Sequence, residues 1–485
     1  MELTAAHWLY AIITVVVIVT MLFRRGVVLP TLIGTFLIAW VYKGSFIGGF
    51  QAVFNANLVA AKELFTIFLI ITLMVALLNS LRALGADEKM ILPIQKVIKN
   101  AHIGIIVIFV TTYVISLFFW PTPAVPLICA LLVPVAIRAG LPAMSAAMVV
   151  AIAGQGMALS SDYVIQVAPM LTAKAAGIET AAIVDKAMIL SLITGGIALL
   201  ITYVMVRKTL RKPNSELAEM ELKVLQGQQD AEAEASAAVE GQGIDGENRE
   251  KWAKFFAVFV PLSMLAVMIF MFYTKLNPDT SGVFNGGDGA AFIGGVASIL
   301  LILSTVAFRK IHALDKVSDH ITEGFVFAFK AMGPVIPIAG FFFLGSSDFT
   351  GAILSLGEDV PKPAFLFDLV ASAQNTIPQS AFLTAFGILA VGIITGLDGS
   401  GFSGLPLVGA LSGAMAPGVG MEAGTLAAIG QVSTIWTGGG TIIAWSSLVA
   451  VAGFCGVPVL DLARKLFIPV IAGLVISTLF ALFMW

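Results

Sequence analysis

The chain has 485 residues, of which 59% are hydrophobic and only 12% are charged. Its mean hydropathy is +0.99. Soluble domains run near half apolar and a quarter charged, so this composition excludes a cytosolic globule. The balance of 27 basic to 29 acidic residues offers no basic field and excludes a nucleic-acid partner. Cys129 and Cys455 lie in separate apolar runs, too far apart to suggest a disulfide framework or a metal knuckle. His7, His102, His312 and His320 are scattered, with no HExxH. The chain reads as an all-α polytopic membrane protein whose solvent is the lipid bilayer.

Backbone polar groups in lipid must be satisfied within their own segment, so apolar runs of roughly 17–25 residues read as helices. The period-2 alternation of an outer-membrane barrel is absent. Spans are predicted at 5–23, 27–43, 61–84, 187–206, 254–273, 290–307, 321–345 and 464–484. The first is not read as a signal peptide, because Met1 to His7 lacks a basic region and Arg24-Arg25 follow the apolar run. Lys and Arg cluster at Arg24/Arg25, Arg82 to Lys99, Arg207 to Lys212, Lys251/Lys254, Arg309 to Lys316 and Arg464/Lys465. The positive-inside rule puts these clusters in the cytoplasm and both termini outside a cell membrane. Residues 207–253 are dense in charge and read as a cytoplasmic linker between two halves, 1–206 and 254–485.

The halves share punctuation at an offset of 280. Pro126-Leu127 meets Pro406-Leu407, Ala130-Leu131 meets Ala410-Leu411, Ala136 meets Ala416, and Gly140 meets Gly420. After a four-residue slip, Gly154-Gln155 meets Gly430-Gln431. A short amphipathic segment precedes each stretch, Asp87 to Asn100 and Asp359 to Gln374. An odd number of crossings separates the halves, so two inverted-topology repeats are expected, the pattern of secondary transporters.

Each half is expected to hold a helical hairpin and a broken transmembrane helix. The first hairpin is read as 102–119 and 124–138 around Trp120-Pro121-Thr122-Pro123, the second as 378–396 and 405–416 around Gly396 to Gly404. Whether they cross fully or dip in and return is left open. Breaks in the next helices are expected at Gly154-Gln155-Gly156 and Ser160-Ser161-Asp162, and at Gly430-Gln431, Ser433-Thr434 and Thr437 to Thr441. Opened backbone at membrane depth is tolerable only beside protein or a wet cavity, so the breaks mark the expected binding site. Its expected substrate-binding residues are Thr122, Gln155, Ser160, Ser161, Ser400, Ser403, Gln431, Ser433, Thr434, Thr437 and Thr441.

Intramembrane acids are costly and commonly functional. Asp162 and Asp398, with Gly399 and Gly438 beside the breaks, are the expected ion-coupling positions, for Na⁺ or a proton. A capping role at a helix start is the other reading of either acid. No arginine lies in the breaks, so an anion would be held by amide and hydroxyl donors. Gly399, Gly401 and Gly404 spell GxGxxG, but no strand precedes them and a nucleotide site is not expected. Neither a nucleophile–base pair nor a metal cluster supports an enzyme, and no repeated carbonyl motif supports a channel filter. No cofactor is expected beyond the coupling ion.

The paired hairpins, Trp120 to Pro126 and Leu397 to Pro406, and the paired broken helices, Gly154 to Asp162 and Gln431 to Thr441, resemble the ion transporter superfamily. That group includes gluconate permeases, C4-dicarboxylate and citrate carriers, and some Na⁺/H⁺ antiporters. The resemblance implies a homodimer, a scaffold of outer spans, and a mobile domain that slides as an elevator. It implies cation-coupled transport of a small organic anion, a carboxylate. The alternative is a Na⁺/H⁺ antiporter using Asp162 and Asp398.

Overall fold

The structure, a computed structural model, describes residues 3–23, 25–213, 215–222, 246–276, 288–309, 312–373, 380–397, 399 and 401–485. Among these residues every regular element is helical. In the first half they are α1 (Ala5–Leu22), α2 (Val28–Lys43), α3 (Phe46–Leu84), α4 (Ala86–Gln95), α5 (Ala101–Phe119), α6 (Pro121–Arg138), α7 (Ala143–Ser161), α8 (Val167–Ala176) and α9 (Ala181–Val206). The second half holds α10 (Gly246–Leu276), α11 (Asp288–Arg309), α12 (Ala313–Met332), α13 (Val335–Phe343), α14 (Ser347–Ile353) and α15 (Phe365–Ala373). It continues with α16 (Ala381–Gly396), α17 (Leu405–Val419), α18 (Ala423–Gly438), α19 (Leu448–Phe454) and α20 (Val459–Met484). Five helices are individually long and apolar enough to cross a bilayer, and seven if each of two bent pairs is one crossing. The chain is a multi-pass membrane protein.

Local signals set several helix starts. Ser45, Asn100 and Ser380 accept from the N–H three residues on, at 3.1 Å from Gly48, 2.9 Å from Ile103 and 3.4 Å from Leu383. Each satisfies a donor that the first helical turn leaves open. The Ser45 cap explains why the span expected at 61–84 begins at Phe46 instead; the helix bends by 46° between Thr66 and Phe68. The span expected at 321–345 is two helices meeting at 54°. Gly333 and Pro334 lie at that bend, where proline lacks the N–H that would continue the ladder.

Contacts between helix ends sort into two faces. On the first, His7 Nε2 meets Asp368 Oδ2 at 3.2 Å, Lys43 donates to Leu354 O at 2.8 Å, and Lys174 pairs with Glu63. Lys186 there pairs with Glu422 and lies 5.5 Å above the ring of Trp485. On the second, Arg211 N–H donates to Gly140 O at 2.9 Å, and Arg249 Nη2 donates to Ala83 O at 2.9 Å.

The α5–α6 hairpin has its base on the second face, and the α16–α17 hairpin has its base on the first. Their tips touch inside the protein, where Trp120 stacks on Phe402 with 5.2 Å between ring centroids. Around this contact the first broken helix is almost wholly enclosed, 94% of its apolar stretch being interior against 39–44% for the other single spans. Outer helices cover one side of this core and carry large exposed apolar side chains on the other, among them Trp8, Phe50, Leu262 and Ile299.

One sequence expectation changes. Cys129 in α6 and Cys455 after α19 are brought together, both buried, with 3.6 Å between their sulfurs. Separation along the chain says nothing about helices that pack side by side. The amphipathic segment expected at 359–374 is helical over Phe365–Ala373 and docks its apolar side on the protein. Phe365 is fully buried, 5.0 Å from the His7 ring and 5.7 Å from Tyr42, and its N–H donates to Leu344 O at 3.2 Å.

Candidate functional site

The first hairpin turns at Trp120, whose φ of 60° and ψ of 132° end α5. Pro121 then opens α6, its fixed φ suiting a first helical position and its missing N–H costing nothing there. The second tip turns at Gly399 and Gly401, with φ of 84° and 74°. A Cβ on Gly401 would stand 2.8 Å from the Gly439 nitrogen, so only glycine lets this tip approach the second broken helix. Trp445 Nε1 fastens the same tip, donating to Leu397 O at 2.9 Å.

In the first broken helix, residues Ala151–Ala158 wind as a π-helix, a wide turn that recurs at functional sites. The Leu159 N–H accordingly reaches back five residues to Gly154 O. This turn is wedged between neighbours. A Cβ on Gly154 would lie 3.1 Å from Thr112 Cγ2, and one on Gly156 would lie 2.5 Å from the Trp436 ring. After Ser161 the helix ends, with Asp162 (φ 37°) and Gln166 (φ 62°) both left-handed. Asp162 Oδ2 accepts from the Ala168 N–H at 2.7 Å and so caps α8.

The second broken helix opens only at the last of its three expected breaks, Thr437 to Thr441. Gly430 and Gln431 sit in regular helix, and α18 runs unbroken to Gly438. Gly430 serves close packing, since a Cβ there would come 2.7 Å from Val408 and 3.1 Å from Ile388. Ser433, Thr434 and Thr437 donate to carbonyls of their own helix, Ile429 O, Gly430 O and Ser433 O, each at 2.8 Å. Thr434 Oγ1 also lies 3.2 Å from Thr395 Oγ1 of the second hairpin. The opened stretch is residues 439–447, where the Thr441 hydroxyl bonds Trp436 O.

Between these parts lies a set of buried polar atoms without hydrogen-bond partners among the described residues. Gln155 is fully buried, and neither its Oε1 nor its Nε2 has a hydrogen-bond partner among the described residues. Gln431 donates through Nε2 to Ser160 O at 2.9 Å, while its Oε1 has none. Thr112 Oγ1, Ser116 Oγ and Trp436 Nε1 are in the same position. Their residues adjoin one another. Gly154 packs on Thr112 and Ser116, Gly156 on Trp436, and Gly440 on the Gln155 stem. An unsatisfied buried polar group costs about 1–3 kcal/mol, so a cluster of them marks a place built for something other than packing.

The remaining expected residues fall as follows. Ser160 donates to Ser191 Oγ at 2.8 Å, and Ser161 to Ala158 O at 3.2 Å. Thr122 is half-buried in the first turn of α6, Ser403 is buried beyond the second tip, and Gly438 closes α18 against Gly396 and Gly401. Asp398 and Ser400 lie outside the described residues. The sequence reading missed Thr112, Ser116 and Trp436. Thr112 and Ser116 are one helical turn apart in an otherwise greasy helix, and that i,i+4 pair is the signal that was available. For Trp436 a lone indole in an apolar run gives no signal.

No protein-family model matches the chain. Across 482 residues it is 36% identical to the uncharacterized membrane protein YhfA of Bacillus subtilis (strain 168), covering 99% of this chain and 98% of that protein.

Proposed function

The chain belongs to the same family as that Bacillus membrane protein, and from this premise we propose that it is a secondary active transporter of a small organic anion, a carboxylate, coupled to Na⁺ or H⁺. The observation that carries the reading is the buried Gln155 amide, with no hydrogen-bond partner among the described residues, near the contact of two hairpins. Gln155 Nε2, Trp436 Nε1 and the Thr112 and Ser116 hydroxyls are donors of the kind a carboxylate accepts from. No guanidinium stands among them, so the charge is balanced by a co-transported cation. Asp162, 5% exposed and bonded to the Ala168 N–H, is the coupling acid in the described part of the site.

The mobile unit in this proposal comprises the two hairpins and the two broken helices, and α1–α3 with α11–α13 form the scaffold of a homodimer. This is the elevator arrangement of the ion transporter superfamily. The second face, with Arg82, Arg138, Arg207, Arg211 and Lys465, is the cytoplasmic one, and both termini are outside the cell membrane.

Proteoliposomes test the reading. Uptake or exchange of at least one member of a broad carboxylate panel is expected under a Na⁺ or a proton gradient. No uptake under either gradient rules the proposal out. The deep position of Asp162 favours a second reading, a Na⁺/H⁺ antiporter in which Asp162 and Asp398 form the whole site. That reading requires dye-reported proton movement driven by Na⁺ with no organic solute present.

A further inference from the structure

Where the chain leaves α9 it turns back against the base of the first hairpin. Gly140, at φ +98°, accepts from the Arg211 N–H at 2.9 Å, and a Cβ on it would stand 2.9 Å from the Arg211 carbonyl carbon. Glu221, on the helical turn 216–222, then joins two parts. Its Oε2 accepts from the Ala143 N–H at 3.1 Å in the first turn of α7, and its Oε1 accepts from Arg211 Nη2 at 3.0 Å. Both oxygens of this carboxylate are engaged. Arg211 Nη1, in contrast, is buried without a partner among the described residues.

Arg211 lines a cavity of about 290 Å³ between α7, α9 and the start of α20. Lys465 borders the same cavity, and Met144, Met148 and Met205 form an apolar wall. Two cations face one carboxylate there, leaving a net positive charge. The apolar wall opens onto the lipid-facing surface of α9, where Met205 is 44% exposed. A guanidinium suits phosphate because its planar donors match the phosphate oxygens, and an ammonium adds a point charge. Methionines adapt to an irregular chain lying along them. Basic pockets between helices near a membrane surface are where acidic headgroups settle.

We infer that this cavity binds a phosphate-bearing anion, and that an acidic phospholipid of the surrounding membrane supplies it. The phosphate sits on Arg211 and Lys465, and an acyl chain follows Met144, Met148 and Met205. The bound lipid ties the start of the linker to the base of the first hairpin, at the entry to the first broken helix.

The test is thermal melting of the purified full-length protein in neutral detergent with dioleoylphosphatidylglycerol, dioleoylphosphatidylcholine or inorganic phosphate. Phosphatidylglycerol is expected to raise Tm by about 1–3 °C, because a ligand held only by the native state stabilises it. Phosphatidylcholine and phosphate are expected to leave Tm unchanged. Arg211→Gln is expected to abolish the shift and Lys465→Gln to halve it. Should Arg211→Gln fail to fold, Lys465→Glu carries the test, since its exposed side chain tolerates reversal and the reversed charge removes the shift. A full shift with phosphate alone overturns the lipid as the source and leaves a free phosphate compound in its place. Equal shifts in the wild type and the Lys465 variants, or equal shifts with both lipids, overturn the site.

Discussion

The Trp120 indole lies over the Phe402 ring, 25° from parallel, and joins a hairpin rooted on one face of the protein to a hairpin rooted on the other. Each residue is only 5% exposed. This contact joins the two hairpin tips, and it can be tested covalently. In a Cys129→Ser/Cys455→Ser background, Trp120→Cys with Phe402→Cys is expected to cross-link within one chain. Cutting a protease site placed in the linker at 223–245 then leaves the halves joined until reduction. Fragments that separate without reductant place the tips apart. Trp120→Ala is expected to cost about 3 kcal/mol of stability, the usual loss for a buried large aromatic.

Gln155 offers a sharper separation of function from stability. Its amide has no hydrogen-bond partner among the described residues, so Gln155→Met removes an unsatisfied group while roughly keeping volume. The variant is expected to be as stable as the wild type or about 1 kcal/mol more stable. It is also expected to lose carboxylate exchange in proteoliposomes. Wild-type exchange by Gln155→Met moves the site elsewhere.

Gly156→Ala drives a Cβ to 2.5 Å from the Trp436 ring, which is locked in the core. A loss of about 1–3 kcal/mol is expected, as for other overpacked interiors. Trp436→Leu removes the offending ring atoms. The double variant Gly156→Ala/Trp436→Leu is expected to be more stable than the sum of the single losses allows, a coupling that denaturation midpoints measure.

The Lys186–Glu422 pair reports on acid stability. The ammonium holds the Glu422 carboxyl below the usual carboxylate range. A carboxyl lowered in the folded state stabilises above its unfolded value, about 4.3, and the gain is lost as pH falls through the folded value. Lys186→Gln is therefore expected to lower Tm slightly at pH 7, with the difference shrinking as pH falls below the unfolded value and gone once the folded carboxyl is protonated. The effect is small because Glu422 is mostly exposed. A difference that grows toward acid contradicts the pairing.

Cys129 and Cys455 are both buried, so neither is expected to react with maleimide in the folded protein, and both are expected to react after denaturation. Rapid labelling of the native protein, read by intact mass, would place one of these sulfurs at the surface.

Much of the fold was legible because lipid leaves a chain few choices. The apolar runs at 5–23, 187–206 and 464–484 became α1, α9 and α20 with shifts of a few residues at their ends. The hairpins were visible through Pro121 and the glycines of the second tip. The breaks were only half legible. Glycine marks both an opened backbone and a close approach, and the sequence cannot tell these apart at Gly430, which packs under Val408. Hydroxyls at Ser433, Thr434 and Thr437 looked available because their sequence does not reveal that they bond their own helix. The meeting of Cys129 with Cys455, or of Trp120 with Phe402, depends on how helices dock, and no local pattern encodes it.

The π-helical stretch Ala151–Ala158 has a consequence for every residue that follows it. A wide turn absorbs more chain per revolution than an α-turn, so it sets the rotational phase at which the helix reaches Ser160 and Asp162. Each residue of α-helix advances the azimuth by about 100°. Deleting one residue from this stretch would let it relax to ordinary winding and would swing the Ser160 carbonyl away from Gln431 and the Asp162 carboxylate away from the Ala168 N–H. The two halves are thus kept in angular register by a local helical excess, as a vernier aligns two scales.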